Sequence, residues 1–351
     1  MHILMLAERL PPAIGGVERH VAGLARVLVE RGYRVTLVAP QHKAALPEEE
    51  EMDGAHVVRL PFTGHGWGNY LRAWCWWMKH GQLLKEADVI HFHDVYAFLH
   101  WFGPARLLCL TKRIYLTYHG FEMSYPIPLR ATFYRWLAQR LVHRSICAGH
   151  YLMKWFCLRP QAVTYGAVAI PQNVSEPSEE PRAVFVGRLA PDTGLDIYLR
   201  GLGLLKRKYN MPLTLTVCGD GPMRGILEQL ATDEDVEAEF VGFVSDPFQY
   251  VSQAKIVFAS GYLAMLEAMA CRRPLFCVYH SPVKEDYLRM VPNSDQMFVI
   301  ADGPDQLAVQ LAAFLTGQLD LSHHLERAYQ FGAGQSWAKL ADLYVRLWGE
   351  A

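Results

Sequence analysis

Ala183-Val184-Phe185-Val186-Gly187-Arg188-Leu189-Ala190-Pro191-Asp192-Thr193-Gly194 is the stretch that decides the fold. A short, continuous apolar run reads as a strand buried on both faces, and the glycines and proline that follow close it as a loop. Beyond it the pattern predicts a helix over residues 195–208. A second strand follows over 213–217, ending in Cys218-Gly219-Asp220-Gly221-Pro222. The chain opens with the same grammar. A strand over 3–6 runs into a loop holding Pro11, Pro12, Gly15 and Gly16. A helix with Val21, Leu24, Ala25 and Leu28 on one face then breaks at Gly32, before a strand over 35–38.

Apolar strands alternating with amphipathic helices imply an α/β protein with parallel sheets covered on both faces. Further strands are expected at 89–93 and 114–118 in the first half, and at 239–242, 256–258 and 275–278 in the second. Ligands of such sheets lie beyond the carboxyl ends of the strands, at the point where strand order reverses. Two units of this kind imply two Rossmann-like domains facing each other across a cleft. The polar, proline-bearing segment 172–181 marks the linker. The expected division is therefore 1–168 and 169–335. Residues 336–351 form a last helix, with Ser336 as N-cap and Leu340, Leu343, Tyr344 and Leu347 sharing a face.

With 351 residues the chain is long enough for two cores, and its net charge of -1 argues against a nucleic-acid partner. The acidic run Glu48 to Glu51 reads as a solvated loop. Seven cysteines without CxxC spacing, mostly in apolar runs, read as reduced core residues, which suits a cytoplasmic protein. The N-terminus enters a strand at once, without a signal-peptide pattern, and no apolar run reaches the roughly 20 residues of a membrane span.

Chemistry-bearing residues gather at the expected strand ends. Gly15-Gly16 follows the first strand and opens a helix, where backbone amides favour an anion; a tight structural turn reads the same way. Without a full GxGxxG and its acidic partner, a nicotinamide cofactor is not supported. Arg188 follows the strand at 183–186, where a guanidinium can fork onto a diphosphate or simply pair with a surface carboxylate. Gly219 and Gly221 lie in the turn beside it. His119 and Gly120 close the strand at 114–118, placed to meet a sugar hydroxyl or a developing positive charge, though a lone histidine is also often structural. Glu267 belongs to a strong helix-forming run. It can accept two vicinal hydroxyls, as on a ribose, or merely offset the helix dipole. His91 and His93 share a strand face with no third ligand in view, so no metal site is expected.

These residues, in this order, resemble the family 4 (group 1) retaining glycosyltransferases of GT-B architecture. The likeness rests on the segments 12–21, 117–121, 186–189, 218–222, 240–244 and 266–270, and on Ser336-Trp337. The resemblance implies a nucleotide-diphospho-sugar donor, retention at the anomeric carbon and no required metal or other cofactor. It assigns Gly15, Gly16 and Arg188 to the diphosphate, His119 and Gly120 to the transferred sugar, and Glu267 to the ribose. By position, Thr193, Gly219, Gly221, Val244, Gly261, Tyr262 and Leu263 join the donor-binding set, and His119 and Glu267 stand as the catalytic pair. The last helix would pack back on the first domain.

Two departures from the family pattern matter. Its usual lysine, five residues after the arginine, is Thr193, and its first glutamate, eight before Glu267, is Ala259 in a shortened turn. Backbone amides of 261–264 could stand in for the lost side chains. Each lost charge-assisted contact is worth about 1.5–3 kcal/mol, so turnover slower by about 100-fold is expected if nothing replaces them. The leading expectation is a hexosyltransferase using a UDP- or GDP-sugar and a glycan or lipid-linked acceptor. The alternative is a catalytically weak or inactive binding partner of another transferase. Aromatic and basic residues interleave over 66–82 (Trp67, Tyr70, Trp74, Trp76, Trp77, Arg72, Lys79) and 130–144 (Arg130, Phe133, Trp136, Arg140, Arg144). They suit either a core face with solvated charges or peripheral contact with the inner face of the cell membrane.

Overall fold

The strands assemble into two separate sheets, one of eight strands and one of six. A computed structural model describes the chain apart from Ile14, Ala44, His65, Leu110, residues 121–124, Ser175, Ser178, Glu179, Glu350 and Ala351. The chain divides into two compact units. The first takes Met1–Phe121, Pro126–Thr164 and Trp337–Ala351; the second is built on Tyr165–Ser336.

The first unit holds β1 (His2–Ala7), β2 (Arg34–Pro40), β3 (Glu49–Met52), β4 (Ala55–Leu60), β5 (Val89–His93), β6 (Ile114–Tyr118), β7 (Arg144–Ala148) and β8 (Ala162–Thr164). Their order is β3-β4-β2-β1-β5-β6-β7-β8, parallel throughout except for the antiparallel edge strand β3. The acidic run is thus not a solvated loop. Main-chain pairing with β4 holds Glu49–Met52 as a strand, and Glu50 receives the fully buried Arg59 guanidinium at 2.5 Å. Helix Gly16–Glu30 buries His20, Val21, Leu24, Ala25 and Leu28 on one stripe. The last helix, Trp337–Gly349, buries Leu340, Ala341, Tyr344, Leu347 and Trp348. It packs on helix Gly16–Glu30: a Cβ on Gly23 would come within 2.3 Å of the Trp337 ring, and Arg31 donates to Asp342 and to the Ala338 carbonyl.

The second unit holds β9 (Arg182–Val186), β10 (Thr214–Cys218), β11 (Ala238–Gly242), β12 (Ile256–Ala259), β13 (Leu275–Val278) and β14 (Val299–Ala301), ordered β11-β10-β9-β12-β13-β14 and all parallel. Counted within the unit this is 3-2-1-4-5-6, the doubly wound order of Rossmann folds. Helix Leu195–Tyr209 covers one face. Asp196 in its first turn and Lys206, Arg207 and Lys208 in its last complement the macrodipole, and left-handed Asn210 ends it. Leu195, Tyr198, Leu199, Leu202 and Leu205 from this helix join Phe185, Val217, Phe258 and Phe276 in the core. In both sheets the order reverses beside the first strand. The switch points therefore fall between β1 and β5, and between β9 and β12.

Five of the seven cysteines are buried, whereas Cys75 and Cys157 are exposed; all seven are free thiols. Among the described residues no helix is long and apolar enough to cross a membrane.

Candidate active site

At the switch point of the second unit, Arg188 leaves β9 and Glu267 rises from the helix that follows β12. Arg188 is about half exposed, and its Nη2 donates to Oδ2 of buried Asp192 at 2.8 Å. One side of the guanidinium is thereby fixed by a carboxylate within its own loop, so the simple surface-pair reading and the ligand reading share the same geometry. Thr193 is buried, and its hydroxyl donates to the Ala190 carbonyl at 2.8 Å inside a single 3-10 turn. That hydroxyl is committed to the loop.

Gly219 and Gly221 have a steric purpose. The loop after β10 lies against the loop after β9, with Gly187 N donating to Cys218 O and Leu189 N to Asp220 O. A Cβ on Gly219 would stand 1.8 Å from the Gly187 carbonyl oxygen, and one on Gly221 would stand 2.4 Å from that of Leu189. Only glycine lets these two strand ends run together. Val244 sits half-buried beyond β11.

Helix Tyr262–Ala270 begins after Gly261, where a Cβ would meet open space. Its first amide is not available to a ligand. Tyr262 N donates to the hydroxyl of Tyr287 at 2.7 Å, and Tyr262 OH donates to the Tyr287 carbonyl at 2.9 Å. Buried Lys284, from helix Pro282–Arg289, donates to the Ser260 carbonyl and stands 4.1 Å over the Tyr287 ring. No local sequence pattern marks this plug, because Lys284 and Tyr287 lie more than 20 residues downstream of the turn they fill. Leu263 packs against Gly166. Glu267 sits in the second turn, with no acidic residue in the first, so offsetting the helix dipole is not its purpose. It lies close enough to Cys218 and Cys271 to help burial push both thiols up to about 12.

In the first unit, Gly15 precedes helix Gly16–Glu30 with an extended φ of 167, and a Cβ there would meet Glu18 Oε2 at 2.2 Å. The carboxylate of Glu18 therefore already lies over the amides proposed for an anion. His119, directly after β6, pairs through Nε2 with Nδ1 of buried His93 at 2.9 Å. Burial first, then its neighbours His20 and His91, hold the His119 imidazole well below its ordinary pKa, so the ring is neutral at pH 7. The Gly120 carbonyl accepts from Arg135, whose guanidinium is buried against the Phe156 ring.

Two features of this edge were not anticipated. Glu8, just past β1, is lifted to about 7 by burial and then by Asp94. His20 and His119 gather around His93, supplying the ligands that the strand alone lacks.

Two parallel sheets in doubly wound order, with a loop arginine and a helix glutamate at one switch point and a histidine and glycines at the other, define a GT-B glycosyltransferase architecture. The chain belongs to the family 4, group 1 glycosyltransferases: the Glycosyltransferase Family 4 model matches residues 14–162, and the Glycosyl transferases group 1 model matches residues 180–317. An uncharacterised glycosyltransferase of Methanocaldococcus jannaschii is 26% identical over 320 residues, covering 78% of this chain and 80% of its own. A GDP-mannose-dependent alpha-(1-6)-phosphatidylinositol monomannoside mannosyltransferase of Mycolicibacterium smegmatis is 26% identical over 283 residues, covering 69% of this chain and 66% of its own. Sucrose-phosphate synthase of Thermosynechococcus elongatus shares the fold, with a TM-score of 0.76 at 16% identity over 100% of both chains.

Proposed function

We propose that this glycosyltransferase moves a hexosyl unit from a UDP- or GDP-linked sugar to a glycan or lipid-linked acceptor, with retention at the anomeric carbon. The observation that carries the reading is the pair at the second switch point: Arg188, pinned by Asp192 in the loop after β9, and Glu267, in the helix after β12. The nitrogens of Arg188 that Asp192 leaves open fork onto the diphosphate, and Glu267 receives the ribose hydroxyls. Open space at Gly261 leaves room for the donor beside Leu263 and the capped Tyr262, while Gly219, Gly221 and Val244 line the neighbouring loops. Thr193 adds no charge, so Arg188 carries more of the anion than it would beside a lysine.

In the first unit, neutral His119 and the backbone of Gly120 hold hydroxyls of the transferred sugar, and His119 opposes the positive charge that spreads over the ring as the glycosidic bond lengthens. Amides of Gly15 and Gly16 add donors for the diphosphate once Glu18 turns away. No residue in this scheme needs a metal ion.

A lipid-linked acceptor is supported by the mycobacterial relative, a phosphatidylinositol monomannoside mannosyltransferase by name. It is also supported by the exposed Trp67, Leu71, Leu129, Phe133 and Trp136 of the first unit, with Arg140 stacked 3.8 Å over Trp136. Such side chains suit peripheral contact with an anionic membrane face, and a cytoplasmic enzyme would meet the inner one.

Calorimetric titration with UDP and GDP tests the reading. Wild type binds one of them, and Arg188→Ala or Glu267→Gln weakens binding by about tenfold or more. Absence of binding to any nucleoside diphosphate, or indifference to both substitutions, removes it.

A further inference from the structure

We propose that His20, His93 and His119 form a site for a single transition-metal ion of the zinc class. One ring nitrogen of each lies within 4.8 Å of one on each of the others. The three rings come from separate elements: helix Gly16–Glu30, the last residue of β5, and the residue just past β6. Three imidazoles with water in the fourth position make a four-coordinate zinc set open on one side. His119, only half-buried, is the open side, while His20 and His93 are buried.

The distances are close to what an ion requires. Zinc–nitrogen bonds of about 2.0–2.1 Å set ligand nitrogens about 3.3 Å apart. His93 Nδ1 and His119 Nε2, now 2.9 Å apart, need only open slightly, and His20 closes by an amount on the order of 1 Å. These facing nitrogens share one hydrogen. For both to coordinate, that hydrogen moves to the far nitrogen of the donating ring. In His93 the far nitrogen is Nε2, which is buried and makes no hydrogen bond. Each ring stays neutral through the exchange.

A hydrogen-bonded chain behind the cluster supports the third ligand. The Trp348 indole N–H donates to His91 Nδ1 at 3.0 Å, which places the hydrogen of His91 on Nε2, facing Thr117 Oγ1 at 2.8 Å. Thr117 Oγ1 also lies 2.8 Å from the Tyr344 hydroxyl, and where that hydroxyl donates to Thr117 it accepts from His20 Nε2 at 3.0 Å. The lone pair of His20 then lies on Nδ1. This is the second-shell pattern of a ligating histidine, whose other N–H is held by a fixed acceptor.

An ion here occupies His119 and so competes with the sugar. That consequence rests on the role proposed above for His119; the site itself does not.

The test is equilibrium dialysis of the tag-free full chain against Zn²⁺, with visible absorption of the Co²⁺-loaded chain. The expected result is one zinc per chain and the intense d–d bands of four-coordinate cobalt. His20→Gln and His93→Gln abolish both signals, whereas replacing His323 and His324 on the second unit leaves them intact. Wild type that holds no stoichiometric zinc, or zinc that persists at full stoichiometry in both glutamine variants, overturns the site. The wild-type measurement decides even where a variant folds poorly. Because it needs no nucleotide, it stands apart from the transferase reading.

Discussion

The rings of Tyr262 and Tyr287 stack 4.0 Å apart and 7° from parallel, and the hydroxyl of Tyr287 accepts the first amide of the helix that carries Glu267. A cap supplied from another helix occupies the amide that a ligand phosphate would otherwise meet. Removing it with Tyr287→Phe leaves a buried N–H without an acceptor, at a cost of about 1–3 kcal/mol. Chemical unfolding should show a loss of that size. Nucleoside diphosphate affinity should change by less than about threefold, since Arg188 carries the anion.

Two glycines of the donor-site set respond in opposite ways. Gly219→Ala drives a Cβ into the Gly187 carbonyl at 1.8 Å, where backbone meets backbone and neither loop can give way without parting β9 from β10. A loss of about 3 kcal/mol or more is expected, visible as a lowered melting temperature. Gly261→Ala meets nothing and has an ordinary φ of -123, so stability changes by at most about 1 kcal/mol. If the open space at Gly261 receives the donor, the same variant weakens nucleotide-sugar binding while the fold holds. Unchanged binding would remove Gly261 from the site.

How legible this was depended on whether a feature was local. The strands β1, β2, β5, β6, β9, β10, β12 and β13 announce themselves as continuous apolar runs, and their alternation with helices implies parallel sheets. The strand Glu49–Met52 does not, because three glutamates in a row look solvated; only pairing with β4 and the buried Arg59 makes them a strand. Arg188 and Glu267 stand out in the sequence because each follows a recognisable strand or lies in a helix-forming run. The Tyr287 cap, the Lys284 plug and the grouping of His20 with His93 and His119 depend on residues brought together by topology, and no periodicity records them. The Gly219 turn was visible as a turn, but its contact with Gly187 was not.

The first unit should be acid-labile. Burial holds His20 at about 4 and His91 at about 3 in the folded chain, and His93 and His119 well below their ordinary value of 6.5. Because these folded values are depressed, the unfolded chain takes up protons first. The stability they secure is intact above pH 6.5 and drains as pH falls through the folded values, each group contributing up to about 1.4 kcal/mol per pH unit. The chain's nine tryptophans all lie in the first unit, so tryptophan fluorescence reports its melting alone. The histidines of the second unit, His280, His323 and His324, are not buried, so its unfolding should respond less to this range.

Glu8 acts on the same unit with the opposite sign. Its folded value is raised from 4.5 to about 7, by burial first and Asp94 second. Below pH 4.5 the carboxyl is protonated in both states and its contribution is fully present. As pH rises to 7 the unfolded chain ionises while the folded one resists, and up to about 3 kcal/mol is lost. Between pH 4.5 and 6.5 this loss partly cancels the gain from the histidines, flattening the pH profile of wild type. Glu8→Gln removes the cancellation. It should leave stability nearly unchanged at pH 4, raise it at pH 8, and steepen the rise in tryptophan-monitored melting temperature between them. An equal shift at both pH values would mean that the substitution acts through packing, and that the carboxyl of Glu8 does not titrate near neutrality.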